Sequence, residues 1–304
     1  MSNHIYPPDF KHKKGPLFVG FNPKEVGRYV IFTVRDPLHD FSKDAAEEIA
    51  DYLDHPKKIA DTHMFITYTG YYKDVLITIC STGSGAPELE LALMDFIKWS
   101  NADTFLRVGT SGALQKHIHP GEIVITTGAV RDEGTSKEYV KPSYPAVASY
   151  DLVLALITSA EDLKIKYRAG ITRSNDAIYV GEGRPAANYI QEEHKATPIY
   201  WEKTNTLNVE REASLLLTLS NIFGKRGGAV CTVVDNELTG ELVVGAGKKE
   251  SIIVSLEGIK NLAMWDELKE KKGKSLIDAE IIRDWKQTKL ETGSKQSKLK
   301  KGGN

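Results

Sequence analysis

The chain has 304 residues, of which 41% are hydrophobic and 27% are charged, and its formal net charge is −1. This composition is typical of a globular protein with one large α/β domain or two smaller ones. The near balance of 40 basic and 41 acidic side chains argues against a protein that coats nucleic acid, and the lack of any run of about 18 apolar residues excludes a membrane span.

The N-terminal segment is polar. We expect residues 1–28, which are rich in proline and glycine, to form a loose arm that docks on something else. The first 15 residues lack the apolar segment of a secretory signal, which favours a cytoplasmic protein. Cys80 and Cys231 lie in apolar runs and are predicted to be buried free thiols of a reducing compartment.

From Tyr29 onward, short apolar strands alternate with amphipathic helices. The predicted strands span 29–34, 63–72, 74–82, 104–109, 121–130, 166–176 and 227–236. The predicted helices span 43–53, 88–100, 150–163, 210–224 and 248–270. This alternation predicts a single three-layer α/β domain over 29–270, with a mixed, mostly parallel central sheet flanked by helices. The Lys-rich tail over 271–304 is expected to be partly disordered, with a weak helix near 277–290.

Three polar segments follow predicted strands: "STGSGAP" after Cys80, "RVGTSG" after Leu106 and "VVDNE" after Thr232. Ligands of such sheets bind beyond the carboxyl ends of the strands. Backbone amides of the Gly-rich turns and the guanidinium of Arg107 suit an anion there. Alternatively, Arg107 pairs with a buried carboxylate and the glycines only turn the chain.

The segments "CSTGSGAPELELALMDF", "TFLRVGTSGALQKHIHPGEIVITTGAV", "SYPAVASYDL", "YVGEGRPA" and "NVEREASLLLTL" together resemble the nucleoside phosphorylase superfamily. The resemblance covers about 17–262 and is strongest to the uridine phosphorylase branch, with bacterial-type purine nucleoside phosphorylases next. It implies phosphorolysis of a nucleoside to free base and ribose-1-phosphate. It also implies inorganic phosphate as co-substrate, with no metal and no organic cofactor.

The resemblance assigns Arg107 and Thr110 to the attacking phosphate, so replacing Arg107 with alanine should remove most of the activity with little effect on folding. Glu212 matches the glutamate that accepts the 2′- and 3′-hydroxyls of the ribose, alongside Glu210, Arg211 and Thr110. An acid at the start of a helix is also favoured by the helix dipole, so a helix-capping role is the alternative for Glu212.

The base is assigned to Glu182, Arg184 and Asp235, with Gly112 and Ile178 beside it. Arg184 matches an arginine that donates to a uracil carbonyl, whereas Glu182 replaces a glutamine. An ionised carboxylate only accepts hydrogen bonds, which suits the N1–H and N2–H₂ of guanine better than uracil. Asp235 resembles the purine phosphorylase aspartate that contacts N7. Uridine is placed first and guanosine second, and Glu182 as a surface acid is the alternative.

The phosphate loop departs from the family pattern. Arg35 stands at a family glycine and His39 at an arginine, while His63 replaces an arginine that a neighbouring subunit lends. Phe18 aligns loosely with a histidine that reaches into the neighbour's site. Histidine is only partly charged near neutral pH, so phosphate is expected to bind more weakly or more pH-dependently. Ordinary surface or packed histidines are the alternative.

The resemblance implies a homo-oligomer, either a dimer or a hexamer built as a trimer of dimers, with nucleoside and phosphate as ligands and no nucleic-acid or membrane partner. Two other functions stay open from the sequence. One is a nucleoside hydrolase of the same fold, favoured by the lost arginines. The other is a non-catalytic nucleoside-binding protein.

Overall fold

The computed structural model describes residues 15–35 and 43–288. The strands are β1 (Tyr29–Val34), β2 (Asp54–Asp61), β3 (Ile66–Tyr72), β4 (Val75–Thr82), β5 (Thr104–Ala113), β6 (Ile123–Asp132), β7 (Ala146–Val147), β8 (Tyr167–Asn175), β9 (Asn208–Glu210) and β10 (Arg226–Asn236). The helices are α1 (Ala45–Ala50), α2 (Ala86–Trp99), α3 (Thr135–Tyr139), α4 (Tyr150–Leu163), α5 (Glu192–Lys195), α6 (Thr197–Lys203), α7 (Ala213–Ile222) and α8 (Lys248–Lys271). Short 3₁₀ turns occur at Pro23–Glu25 and Val180–Glu182.

The strands form one mixed sheet. β1 lies between β4 and β5 and is parallel to both, and β5 is also parallel to β10. From β10 the pairing passes through β6, β8 and β9 and returns to β5, so these five strands form a closed ring. β3 and β2 extend the other end of the sheet in antiparallel fashion.

Helices cover both faces of the sheet because successive side chains of a strand point to opposite faces. On β1, Ile31 faces one apolar core with Ile49 of α1 and residues of α4 and α8. The neighbouring Phe32 faces a second core with Leu93 of α2 and leucines of α7. The predicted three-layer α/β domain with a mixed central sheet is confirmed.

A β-bulge interrupts the pairing of β10 with β5. Val233 pairs with Ser111, but the next partners are Asp235 and Gly112, so Val234 is an extra residue on β10. Side chains alternate along a strand, and an inserted residue therefore reverses which face the following side chains occupy. The bulge places both Thr232 and Asp235 on the cavity described below.

The described part of the N-terminal arm, from residue 15 onward, docks on its own domain. The backbone N–H groups of Leu17, Phe18 and Val19 donate to the carboxylate of Asp95 on α2, at 2.7 to 3.1 Å. Val19 is fully buried in the apolar core between the sheet and α2. The packed domain therefore begins before residue 29, because this buried carboxylate fixes the arm in place.

Residues 271–288 also belong to the packed domain. Residues 279–288 are helical, and Ile281 and Trp285 are buried in the core. The rings of Trp265 and Trp285 meet edge to face, with centroids 5.5 Å apart. The predicted boundary at 270 is too early, since apolar residues four apart form a buried helical stripe here.

β2 was missed from the sequence. Its residues "DHPKKIAD" are mostly exposed, and it pairs with a single neighbour, β3. Polar residues and proline are typical of edge strands, which lack the apolar alternation that reveals a half-buried strand. Among the described residues, no helix is long and apolar enough to cross a membrane.

Candidate active site

A cavity of about 950 Å³ opens at the carboxyl ends of β1, β5 and β10. This is the size of a small-molecule site. Twelve predicted site residues line it: Arg35, His63, Arg107, Thr110, Gly112, Ile178, Glu182, Arg184, Glu210, Arg211, Glu212 and Asp235. His39 lies outside the described residues. Phe18 does not line this cavity and instead packs partly against the core beside α2.

Arg107 is buried on β5 between two carboxylates. Its Nε lies 2.7 Å from Oε2 of Glu210 and 2.8 Å from Oε2 of Glu212, and its Nη2 donates to the same Glu212 oxygen at 2.5 Å. Its Nη1 donates to Sγ of Cys231 at 3.0 Å. The alternative that Arg107 pairs with a buried carboxylate therefore holds, yet Arg107 also lines the cavity.

The glycine two residues after Arg107 is required by this arrangement. A side chain on Gly109 would overlap the guanidinium of Arg107, which folds against the Gly109 backbone. The motif "RVGTSG" thus packs the guanidinium along its own strand and aims it towards the strand's carboxyl end.

The two glutamates beside Arg107 have different structural roles. Glu210 accepts from the backbone N–H of Glu212 at 2.9 Å and of Ala213 at 2.9 and 3.0 Å, and the hydroxyl of Ser174 donates to it. Glu210 therefore caps α7. Glu212 turns away from the helix and accepts from the N–H of Gly85 at 2.5 Å and from Arg107. The capping role considered for Glu212 belongs to Glu210.

The sequence placed Glu210 at the start of a helix, whereas the structure places it in β9, with α7 beginning at Ala213. A strand of three residues is too short for a periodic apolar pattern to show it. The sequence signal that remains is an acid three residues before an apolar helical run, which is typical of a cap.

Burial and charge set the protonation of this cluster. Burial alone would lower the pKa of Arg107, but Cys231, Glu212 and Glu210 raise it above its ordinary value. Burial raises the pKa of Glu210, Arg107 opposes that rise, and Glu212 adds to it. Burial, the largest cause, therefore leaves the pKa of Glu210 above its ordinary value even beside Arg107.

The cysteines are inert. Cys80 and Cys231 are free and fully buried, as predicted, and burial is the main cause that raises the pKa of each thiol to about 12. Nucleophilic chemistry requires the thiolate, which these surroundings disfavour.

The Arg211 side chain bridges the loop that follows β4 and the segment that follows β8. Its Nη1 donates to Oγ of Ser84 at 2.9 Å, and its Nη2 donates to the backbone carbonyl of Asp176 at 2.9 Å. The Nε of Arg211 is buried and has no hydrogen-bond partner among the described residues. This position adds a second guanidinium to the lining of the cavity.

Arg35 supplies a third guanidinium at the end of β1. Its Nε donates to Asp44 at 2.9 Å and its Nη1 donates to the carbonyl of His63 at 3.0 Å. Its Nη2 is buried without a hydrogen-bond partner in the part of the chain that the structure describes. His63 itself is exposed, and its backbone has a left-handed φ of 63°.

A second cluster of charges surrounds Arg184. Its Nη2 donates to Oδ2 of Asp235 at 2.6 Å, and its Nη1 lies 3.6 Å from Oε2 of Glu182. Gly112 lies five residues after Arg107, about 16 Å along an extended strand. A side chain on Gly112 would come within 3.0 Å of Asp235, so the glycine lets this carboxylate approach the strand.

Glu182 is not a surface acid, because only 8% of its side chain is exposed. Burial raises the pKa of Glu182 to about 7, against the opposing charge of Arg184 and with a further rise from Asp235. Ile178 lies before it in the same segment, on the rim of the cavity, and is half-exposed.

Sequence reasoning missed Glu237. This residue contacts Arg184 through both carboxylate oxygens, with Oε2 3.1 Å from Nε and Oε1 on Nη2. Its side chain is 3% exposed, and burial, then Glu182, raise its pKa to about 8. The available signal was its spacing of two residues from Asp235 at the end of a strand, where alternate residues share a face.

Comparison with known proteins gives consistent matches. The sequence profile of the phosphorylase superfamily matches residues 30–255. A uridine phosphorylase of Thermococcus kodakarensis is 41% identical over 257 residues, covering 84% of this chain and 90% of its own. A uridine phosphorylase of Treponema pallidum is 35% identical over 72% of this chain and 81% of its own. A guanosine phosphorylase of Halorubrum lacusprofundi is 35% identical over 64% of this chain and 75% of its own.

Proposed function

The chain belongs to the phosphorylase superfamily, and we propose that it is a nucleoside phosphorylase, a pentosyltransferase that prefers uridine. In the reaction, an oxygen of inorganic phosphate forms a bond to the anomeric carbon as the bond from that carbon to the base nitrogen breaks. The products are the free base and ribose-1-phosphate.

One observation carries this proposal. A single cavity is lined both by groups suited to an oxyanion and a sugar, on Arg107, Thr110 and Glu212, and by the donor and acceptor groups around Arg184. Phosphorolysis needs these groups together, because it brings an anionic nucleophile to the sugar while negative charge develops on the departing base.

Arg107 binds the phosphate in this proposal. The guanidinium has five N–H donors, and its contacts with Glu210, Glu212 and Cys231 engage its three nitrogens through one N–H each. The second N–H groups of Nη1 and Nη2 then serve the anion. Arg35 contributes its buried Nη2, which supports the idea that it replaces charge lost at His39 and His63.

Glu212 binds the ribose, and the Arg184 cluster binds the base. Because Arg107 and the N–H of Gly85 fix the Glu212 carboxylate, it meets the sugar hydroxyls in a set position, with a second lone pair left on Oε1. Arg184 and Asp235 lie where they stabilise negative charge, or supply a proton, at the departing base.

Guanosine is the second candidate substrate. Glu182 and Asp235 are acceptors that suit the N–H groups of a 6-oxopurine, and a guanosine phosphorylase is among the relatives. Uridine stays first because of the uridine phosphorylase relatives and the "YVGEGRPA" segment around Arg184.

We expect the purified protein to release free base from uridine only when phosphate or arsenate is present. Ultraviolet absorbance or chromatography of a nucleoside panel, with and without phosphate, measures this directly. Equal turnover without phosphate would reassign the protein as a hydrolase. Nucleoside binding without turnover in either condition would make it a binding protein.

We also expect a homo-oligomer, a dimer or a hexamer of three dimers, because His63 aligns with a residue that completes a neighbour's site and is exposed on its own chain. Light scattering at about micromolar concentration measures the mass of the assembly. A monomer would remove Phe18 from the proposed site and would leave His63 only its place in the lining of its own chain's cavity.

The proposed setting is nucleoside salvage in the cytoplasm. The two free thiols support a reducing compartment, where disulfides are rare.

A further inference from the structure

Three carboxyl groups share one guanidinium at the base-binding part of the cavity. Arg184 contacts Asp235 and Glu237 through Nη2, Glu237 again through Nε, and Glu182 through Nη1. After burial, Glu182 and then Asp235 raise the pKa of Glu237. Carboxyl groups that share one guanidinium retain a proton more readily, because each ionised carboxylate disfavours the ionisation of the next.

The charge and the burial of these acids favour the retention of one proton among them. If all three acids were ionised, the group would carry two uncompensated negative charges, with the Glu182 and Glu237 side chains only 8% and 3% exposed. Burying unpaired charge is costly, and closely spaced carboxyls avoid that cost by retaining a proton.

The other charged group that faces Glu182 does not remove this imbalance. Arg173 of β8 lowers the pKa of Glu182, but its Nη2 is paired with Asp132 at 2.5 Å and its Nη1 donates to the carbonyl of Gly181. The net balance raises the pKa of Glu182 to about 7 and that of Glu237 to about 8, so the pair titrates near neutral pH.

We propose that the protonation state of Glu182, which is coupled to that of Glu237, selects the base: uracil when Glu182 carries a proton and guanine when Glu182 is ionised. This inference rests on the proposed function. A protonated Glu182 offers one O–H donor and one carbonyl acceptor, which suits the N–H and a flanking carbonyl of uracil. An ionised Glu182 accepts from the adjacent N1–H and N2–H₂ of guanine, while Arg184 donates to O6.

Glu237 is a positioning residue in this scheme. It does not line the cavity; it contacts Arg184, and its charge is coupled to that of Glu182, so that the ionisation of one acid disfavours the ionisation of the other. A side chain on Gly112 of β5 would come within 2.8 Å of Oε1 of Glu237, so β5 packs closely against this carboxylate. The site therefore combines a base-reading acid with a second acid that adjusts its charge.

The test is the ratio of kcat/KM for uridine to that for guanosine across the pH range. We expect the ratio to fall about 10–100-fold between about pH 6 and about pH 9, as expected for one mispaired buried polar group. Glu182→Gln offers a donor and an acceptor at every pH, so its ratio should stay high and flat. In Glu237→Gln, the charge of residue 237 no longer opposes the ionisation of Glu182. The ratio should therefore complete its fall at a lower pH than in the wild-type protein.

Glu161→Gln is the matched control. Glu161 accepts from the hydroxyl of Tyr167 at 2.7 Å, is exposed and lies outside the cavity, so its variant should keep the wild-type profile. A wild-type ratio constant with pH would overturn the inference, and so would a Glu182→Gln variant that keeps the wild-type dependence.

A binding measurement separates this inference from the proposed function. Calorimetry without phosphate, near pH 7.5 and in buffers of different ionisation enthalpy, should show proton uptake when uridine binds and proton release when guanosine binds. Equal proton exchange for both, or no binding of either nucleoside, overturns the inference. Absence of phosphate-dependent turnover, with opposite proton exchange intact, overturns only the proposed function.

Discussion

Replacing Arg107 with alanine is expected to lower kcat/KM for phosphorolysis about 10²–10³-fold, the loss typical of one positioned electrostatic group. It should also destabilise the fold, because the side chain is only 4% exposed and lies between Glu210 and Glu212. Leaving a buried ion pair without one partner costs about 3–5 kcal/mol of unfolding free energy. Steady-state kinetics and denaturant unfolding measure the two effects.

Arg131→Ala is the matched control for Arg107→Ala. Arg131 is a buried arginine that donates to Ser136 and to the carbonyls of Lys141, Val140 and Tyr144, away from the cavity. We expect this variant to lose stability but to keep its rate per folded molecule. If Arg107→Ala also kept that rate, Arg107 would be a structural residue only.

Replacing Glu212 with glutamine is expected to lower kcat/KM about 10²–10³-fold with a smaller loss of stability than Arg107→Ala. The carboxylate accepts from Gly85 on one oxygen and from Arg107 on the other. An amide must turn its NH₂ group towards one of these donors, which misplaces the remaining oxygen for the ribose hydroxyls. Initial rates with uridine at saturating phosphate test the expectation.

Glu133→Gln makes the same chemical change at another buried site. Glu133 is fully buried and accepts from the hydroxyls of Ser136 and Ser214, outside the cavity. Its variant should change melting temperature more than activity. Wild-type kcat/KM in Glu212→Gln would contradict the assignment of the ribose to Glu212.

The sequence predicted the architecture well because its strong signals are local. Apolar runs such as "YVIFTV" show a buried strand without further information, and α4 was predicted with its observed bounds, Tyr150–Leu163. The family motifs brought together the residues that line the cavity. Both depend on patterns within single segments.

The missed features depend on contacts between distant segments. Glu237 became part of the site because β10 pairs with β5 while the segment carrying Glu182 crosses above, 55 residues earlier in the chain. Likewise, the sequence suggested that Arg107→Ala would spare the fold, because nothing local shows that Glu210 and Glu212 enclose its guanidinium. Charge balance of this kind is a property of tertiary packing.

The bulge at Val234 limits how this site can diverge. If Val234 were kept but the bulge were closed, Val234 would pair with Gly112 and Asp235 with Ala113, so the Asp235 carboxylate would point to the opposite face of the sheet, away from Arg184. A register of β10 that closed the bulge would therefore invert this wall of the cavity, whereas a point substitution changes only its chemistry. New base preferences in this lineage are accessible through exchange of side chains, while the register of β10 that pairs Asp235 with Gly112 has to be inherited intact.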